Sequence, residues 1–156
     1  MRRIALSVAL LLAPVAALAG DGVWTSGYGQ GITEANVANA RGVTLRVACT
    51  DAALNRAPSV SIDVPNLQGG DSKTVTAQVT IGGRAAAIDF QRRVRDQNQV
   101  VYSWDATGRQ RHVFDELLFN MTHGGRTASI VLASERVRET FPLQGARTAL
   151  QACMPD

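Results

Sequence analysis

The sequence predicts a small α+β domain, mainly β: an antiparallel sheet or sandwich with two short helices and one disulfide. Three observations predict it. Several short segments alternate apolar and polar residues, the period of half-buried strands. Two others place apolar residues three and four apart, the period of a helix with one buried face. The only two cysteines, Cys49 and Cys153, follow an export leader and bracket most of what remains. Two cysteines in a small exported domain are most simply a structural disulfide.

The leader comes first. Met1-Arg2-Arg3 is a short basic start, Ile4 to Leu12 is an apolar run, and Pro14 precedes a small-residue site at Ala17-Leu18-Ala19. This is the order of a signal peptide, and the apolar run is too short to span a bilayer stably. Cleavage near Ala19-Gly20 divides the chain into a signal at 1–19 and one globular domain at 20–156, with 156 − 19 = 137 residues. Arg2 and Arg3 leave with the leader, so the 16 basic and 13 acidic residues of the full chain become 14 − 13 = +1. That near balance carries no nucleic-acid inference, and the aromatic residues are too few for an extensive base-stacking platform, so no nucleic-acid partner is expected. The expected address is periplasmic or secreted.

Val43, Leu45, Val47 and Cys49 share one face of a strand, so Cys49 points with the core residues. Val60, Ile62 and Val64 repeat the pattern until Pro65 ends it. Val75, Ala77, Val79 and Ile81 alternate against Thr74, Thr76, Gln78 and Thr80, and Gly82-Gly83 then turns a tight hairpin returning through Ala85 to Val94. Asp96-Gln97-Asn98 turns again into Val100-Val101-Tyr102-Ser103-Trp104, closed by Asp105-Ala106-Thr107-Gly108. Residues 128–133 and 139–143 are the last strand candidates. Phe114, Leu117, Leu118 and Met121 form a helical stripe, with Asp115 and Glu116 expected in the first turn and Gly124-Gly125 at the end. Ala146, Ala149, Leu150 and Cys153 form a second stripe. Gly27-Tyr28-Gly29-Gln30-Gly31 has the wrong spacing for a phosphate loop and is expected to be a flexible loop after Trp24.

Four features occur in order: Leu45-x-Val47-x-Cys49, the segment Tyr102 to Gly108, the helix from Phe114 to Met121, and Phe141-x-Leu143-x-Gly145-x3-Ala149-Leu150-x2-Cys153. Together they resemble the small periplasmic accessory proteins associated with type VI secretion, the VasI/TagO kind. The ending is also similar to that of invasion-associated locus B proteins, which typically carry further cysteines. The resemblance covers Val43 to Cys153 and leaves Trp24 to Ala40 unmatched. It implies a non-enzymatic exported factor.

His112 and Glu116 fall one helical turn apart, with Asp115 and His123 nearby, but neither histidine belongs to a recognised ligand motif. The sequence carries no nucleophile elbow, phosphate loop or Cys-x-x-Cys. No enzyme, cofactor or metal is therefore expected. Arg92, Arg93 and Arg95 crowd one hairpin, with Arg92 on the opposite face, and Arg84 and Arg109 are expected to meet at its far end. Such arginines bind carboxylates or acidic protein surfaces well. The expected function is a non-enzymatic exported accessory or interaction protein, secretion-system associated, contacting another envelope or secreted protein through Arg92, Arg93 and Arg95. The alternative is a small inhibitor or immunity-type protein that occludes a periplasmic enzyme. No stable membrane span is expected after signal cleavage.

Overall fold

The structure, a computed structural model, describes residues 22–50, 56–67, 72–96 and 98–154. Among the described residues nine strands form one antiparallel sheet: β1 (Thr25–Gly29), β2 (Ile32–Ala38), β3 (Thr44–Thr50), β4 (Ser59–Pro65), β5 (Thr74–Ile81), β6 (Arg84–Asp96), β7 (Gln99–Asp105), β8 (Thr127–Leu132) and β9 (Val137–Pro142). Their spatial order is β1-β2-β3-β4-β7-β6-β5-β8-β9, and the sheet curls into a half-barrel. Helix α1 (Gln110–His123) links β7 to β8, and the one-turn helix α2 (Ala146–Ala149) leads into a 3-10 turn at Gln151–Cys153. Among the described residues no helix is long and apolar enough to cross a membrane.

The strands form where the alternation predicts them, and their turns follow local chemistry. Gly82 and Gly83 both have positive φ, +57° and +81°, the geometry of a two-residue hairpin whose twist matches its strands. Gly82 is also needed for space: a Cβ there would lie 2.1 Å from the Gly124 carbonyl oxygen. Glycine at the end of α1 thus lets the helix terminus press on the β5–β6 turn. Gly124 itself has φ −107°, so close packing and not a left-handed cap explains it.

Four expectations are corrected. Residues 25–31 are not a flexible loop but the β1–β2 hairpin, turned by Gln30 and Gly31 at φ +53° and +74°. Its strand residues are mostly small and polar, so periodicity is faint there. Helix α1 starts at Gln110, which puts Asp115 and Glu116 in its second turn and no acidic residue in its first. β9 begins two residues before the expected start, at Val137. Finally, Arg84 and Arg109 do not meet: the 14 residues of α1, about 21 Å of helix, separate Arg109 from Gly124 beside the turn.

The inner face buries Leu45, Ile62, Phe90, Tyr102, Ile130 and Phe141, and α1 covers it with Phe114, Leu117, Leu118 and Met121. Trp104 packs in this core with its nearest ring neighbour, Phe114, 6.4 Å away between centroids. Cys49 and Cys153 are bonded, with Cα atoms 5.4 Å apart. The bond fastens the end of β3 to the C-terminal turn that follows β9.

Candidate functional site

On β9, Val137, Glu139 and Phe141 all point inward, so a carboxylate sits among apolar neighbours and is 4% exposed. A charge buried there needs partners. They come from the β2–β3 turn, across the gap between the two borders of the sheet. Asn39 donates its side-chain amide to Glu139 Oε2 at 2.7 Å, and the Arg41 guanidinium donates to Glu139 Oε1. The turn is shaped for this by Asn39 itself, whose Oδ1 accepts from the backbone amides of Arg41 and Val43 at 3.0 and 3.1 Å. The same turn also reaches the backbone of β9. Arg41 donates to the Arg138 carbonyl, Asn39 approaches the Thr140 carbonyl at 3.5 Å, and Trp24 Nε1 donates to the Pro142 carbonyl at 2.8 Å. These alternate carbonyls of a border strand would otherwise invite another strand.

A second inward charge lies nearby. Arg92 is on the face of Ile88 and Phe90, opposite Tyr102 in register, and faces Glu135 at 3.6 Å with both side chains 7% exposed. The Tyr102 hydroxyl donates to Glu135 Oε2 at 3.1 Å. Burial first, and then the Glu135 charge, push the Tyr102 phenol up to about 12. Neutral phenol is therefore the form this cluster holds.

Between the β2–β3 turn, the end of β4 and the start of β9 lies a cleft of ≈ 290 Å³. Its floor is apolar, made by Val43, Val64, Leu67 and Val137, and its rim carries Arg41, Arg136 and Arg138. Glu139 is the one carboxylate among the lining residues, and Asn39 and Arg41 already hold it. Two non-glycine residues with left-handed backbone flank the cleft, Asn66 and Arg136, each at φ +57°. Asparagine tolerates that conformation; arginine gains nothing from it.

The same end of the half-barrel collects other cations. Pro65 pairs with Gln99 and the Asn66 amide donates to the Asn98 carbonyl, so the β6–β7 turn is adjacent. Arg93 and Arg95 are exposed on that hairpin, and exposed Lys73 is level with them because its carbonyl accepts from the Arg92 amide. Of the three hairpin arginines expected to make one contact patch, Arg92 is turned inward to Glu135, and Arg93 and Arg95 remain on the surface. Arg93 lies opposite Val101, and a bulge between Val94 and Asp96 takes Arg95 out of register with β7.

The histidines do not assemble a site. His112 and Glu116 form an exposed pair at 3.3 Å, Asp115 lies 3.9 Å from Arg111, and His123 stacks on Phe119 with ring centroids 4.6 Å apart. Among the described residues no group of three or more His, Cys, Asp or Glu could hold a metal ion.

Arg41, Arg136, Arg138 and Glu139 were missed by sequence reading because the turn and β9 are about a hundred residues apart. One signal was available: the alternation through Val137, Glu139 and Phe141 sets a carboxylate on an apolar face.

A curled antiparallel sheet sealed by one disulfide, with arginines gathered at one end, defines a class of fold without naming a reaction. The sequence matches the YfjT family over residues 22–150, and the chain belongs to that family. No curated protein and no solved structure matches it significantly.

Proposed function

We propose that this protein is an exported, non-enzymatic accessory protein that acts by binding another envelope or secreted protein. Its contact surface is the basic end of the half-barrel. The observation that carries this is the placement of Arg41, Lys73, Arg93, Arg95, Arg136 and Arg138 on one end of a chain whose overall charge after leader removal is only +1. Three carboxylates of this end are already engaged: Glu135 by Arg92, Glu139 by Asn39 and Arg41, and Asp63 by Arg46. Cations concentrated against an almost neutral background steer an acidic partner and make association salt-sensitive. A leader before the domain and the disulfide support periplasmic export. Secretion as the context rests on the sequence resemblance.

The test replaces Lys73, Arg93 and Arg95 with glutamine and captures partners from an envelope fraction. All three are exposed, so the melting midpoint should change little. Recovery of the wild-type partner should fall, most clearly at low salt. Full recovery by the triple variant, or capture that is indifferent to salt, would remove this function.

A further inference from the structure

The cleft beside Arg136 has a more specific chemistry than the basic end as a whole. Resting on the binding role above, we infer that it is a recognition pocket for a peptide segment in which an apolar side chain is flanked by carboxylates. The partner is thus a protein, read through a short acidic–apolar motif.

Size, charge and backbone lead to this independently. A volume of ≈ 290 Å³ lies at the lower bound of small-molecule pockets and suits one side chain. The apolar floor of Val43, Val64, Leu67 and Val137 desolvates that side chain, while Arg136 just before β9, Arg138 on β9 and Arg41 on the β2–β3 turn stand at the rim. Guanidinium groups on two separate elements suit carboxylates on both sides of an inserted residue, each held through paired N–H donors. Arg41 is 64% exposed while still bonded to Glu139, so part of its fork faces solvent. An incoming carboxylate meets a guanidinium already fixed in place, which lowers the ordering cost of binding.

The backbone of Arg136 supplies a separate reason. This residue adopts φ +57° directly after the 3-10 turn Ala133–Glu135, its amide donating to the Ala133 carbonyl. Glycine would fit that position with less strain. A long charged side chain at a left-handed position points to a role for the side chain and not for the turn.

The test uses fluorescence anisotropy with labelled octapeptides carrying Glu-Leu-Asp, Gln-Leu-Asn or Glu-Gly-Asp at their centre, and vesicles of anionic phospholipid as a competitor. The Glu-Leu-Asp peptide should bind at least tenfold more tightly than either control, with affinity falling as salt rises. Arg136→Gly should weaken it about tenfold, while the melting midpoint stays equal or rises because the backbone is relieved. Leu67→Ser should weaken it without changing the salt dependence. Equal binding of the amide peptide, an unaffected Arg136→Gly variant, or complete displacement by anionic vesicles would each overturn the pocket. The outcomes separate the two proposals. If the Lys73, Arg93 and Arg95 variant loses its captured partner while Arg136→Gly keeps it, the basic end stands and the pocket falls. If both variants keep it, both fall.

Discussion

At one end of the gap between the sheet borders, Asn39 and Arg41 grip Glu139 through hydrogen bonds and charge. At the other end, Cys49 and Cys153 join the end of β3 to the turn after β9 by a covalent bond. Trp24 bonds Pro142 on the same border strand. Both ends fasten the β1–β3 wing to the chain around β9, yet they respond to different conditions. The disulfide is indifferent to ions and yields only to reduction. The Glu139 cluster faces water through Arg41 and adjoins the cleft, so its charge pairing is open to screening by salt. A half-barrel held in this way is fixed at one end and adaptable at the other.

Removing the covalent end should have the largest effect. Cys49 and Cys153 are separated by 104 positions. Closing a loop of that order restricts the unfolded chain by roughly 4–5 kcal/mol in the loop-entropy account. The double serine variant should therefore show a much lower urea midpoint. Retention of the wild-type midpoint would mean that the polar end alone suffices to hold the wing.

Breaking the polar end should cost less. Glu139→Ala leaves the Asn39 amide and the Arg41 guanidinium without their carboxylate, and hydrogen bonds to charged groups contribute about 1.5–3 kcal/mol. Arg41 is largely solvated already, which pulls the expectation toward the lower figure. Hydrogen exchange should quicken in β2 and the β2–β3 turn, and remain slow around Cys49. Uniform loss of protection would show that the two ends are one cooperative unit.

Much of this architecture was legible in the chain and some was not, for identifiable reasons. Strands β4, β5 and β7 alternate over at least three core residues each, and β3 continues the alternation of Val43 through Leu45 and Val47, so their period survives without tertiary help. Helix α1 announces itself through Phe114, Leu117, Leu118 and Met121, all of which are buried. The disulfide was legible because the sequence has two cysteines, both after an N-terminal segment that reads as a signal peptide. The β1–β2 hairpin is different: β1 has only exposed residues, and β2 buries just Ala35 and Val37, so packing against β3 supplies what periodicity lacks. The cleft is illegible locally because Arg41, Leu67 and Arg136 meet only once the sheet has curled. Arg92 shows the limit of counting charges: it stands two residues from Phe90 on the same strand face, and that spacing, more than its arginine neighbours, decides that it is buried.

Alkaline pH probes the other inward cluster at the basic end. Tyr102 is raised from 10.0 to about 12, by burial and then by Glu135. In the folded protein the neutral phenol is favoured, so this contribution to stability is fully present below pH 10. It is lost as the pH rises from 10 toward 12, where the unfolded chain is deprotonated first. Tyr102→Phe removes that titration, and its stability should decline less steeply over the same window. Ultraviolet titration should show one tyrosine ionising late. Parallel decline of both proteins would place the alkaline sensitivity elsewhere.

The smallest expected effect belongs to Trp24→Phe, and it sharpens the comparison most. Phenylalanine keeps an aromatic ring in a site that is 8% exposed but cannot donate to the Pro142 carbonyl. Loss of one such bond costs about 0.5–1.5 kcal/mol. Trp24 also packs beside Gly145, where a Cβ would lie 3.8 Å from its own Cβ, so it touches the turn leading into α2 and Cys153. Combined with the double serine variant, the substitution makes a double-mutant cycle along the gap between the borders. Independent fastenings should add to within about 0.5 kcal/mol. If the bond from Trp24 holds only while the disulfide orders the C-terminal turn, the combined loss should fall short of the sum by more than that. The covalent end would then govern the middle of the gap, leaving the contact of Asn39 and Arg41 with Glu139 as the fastening that acts independently of it.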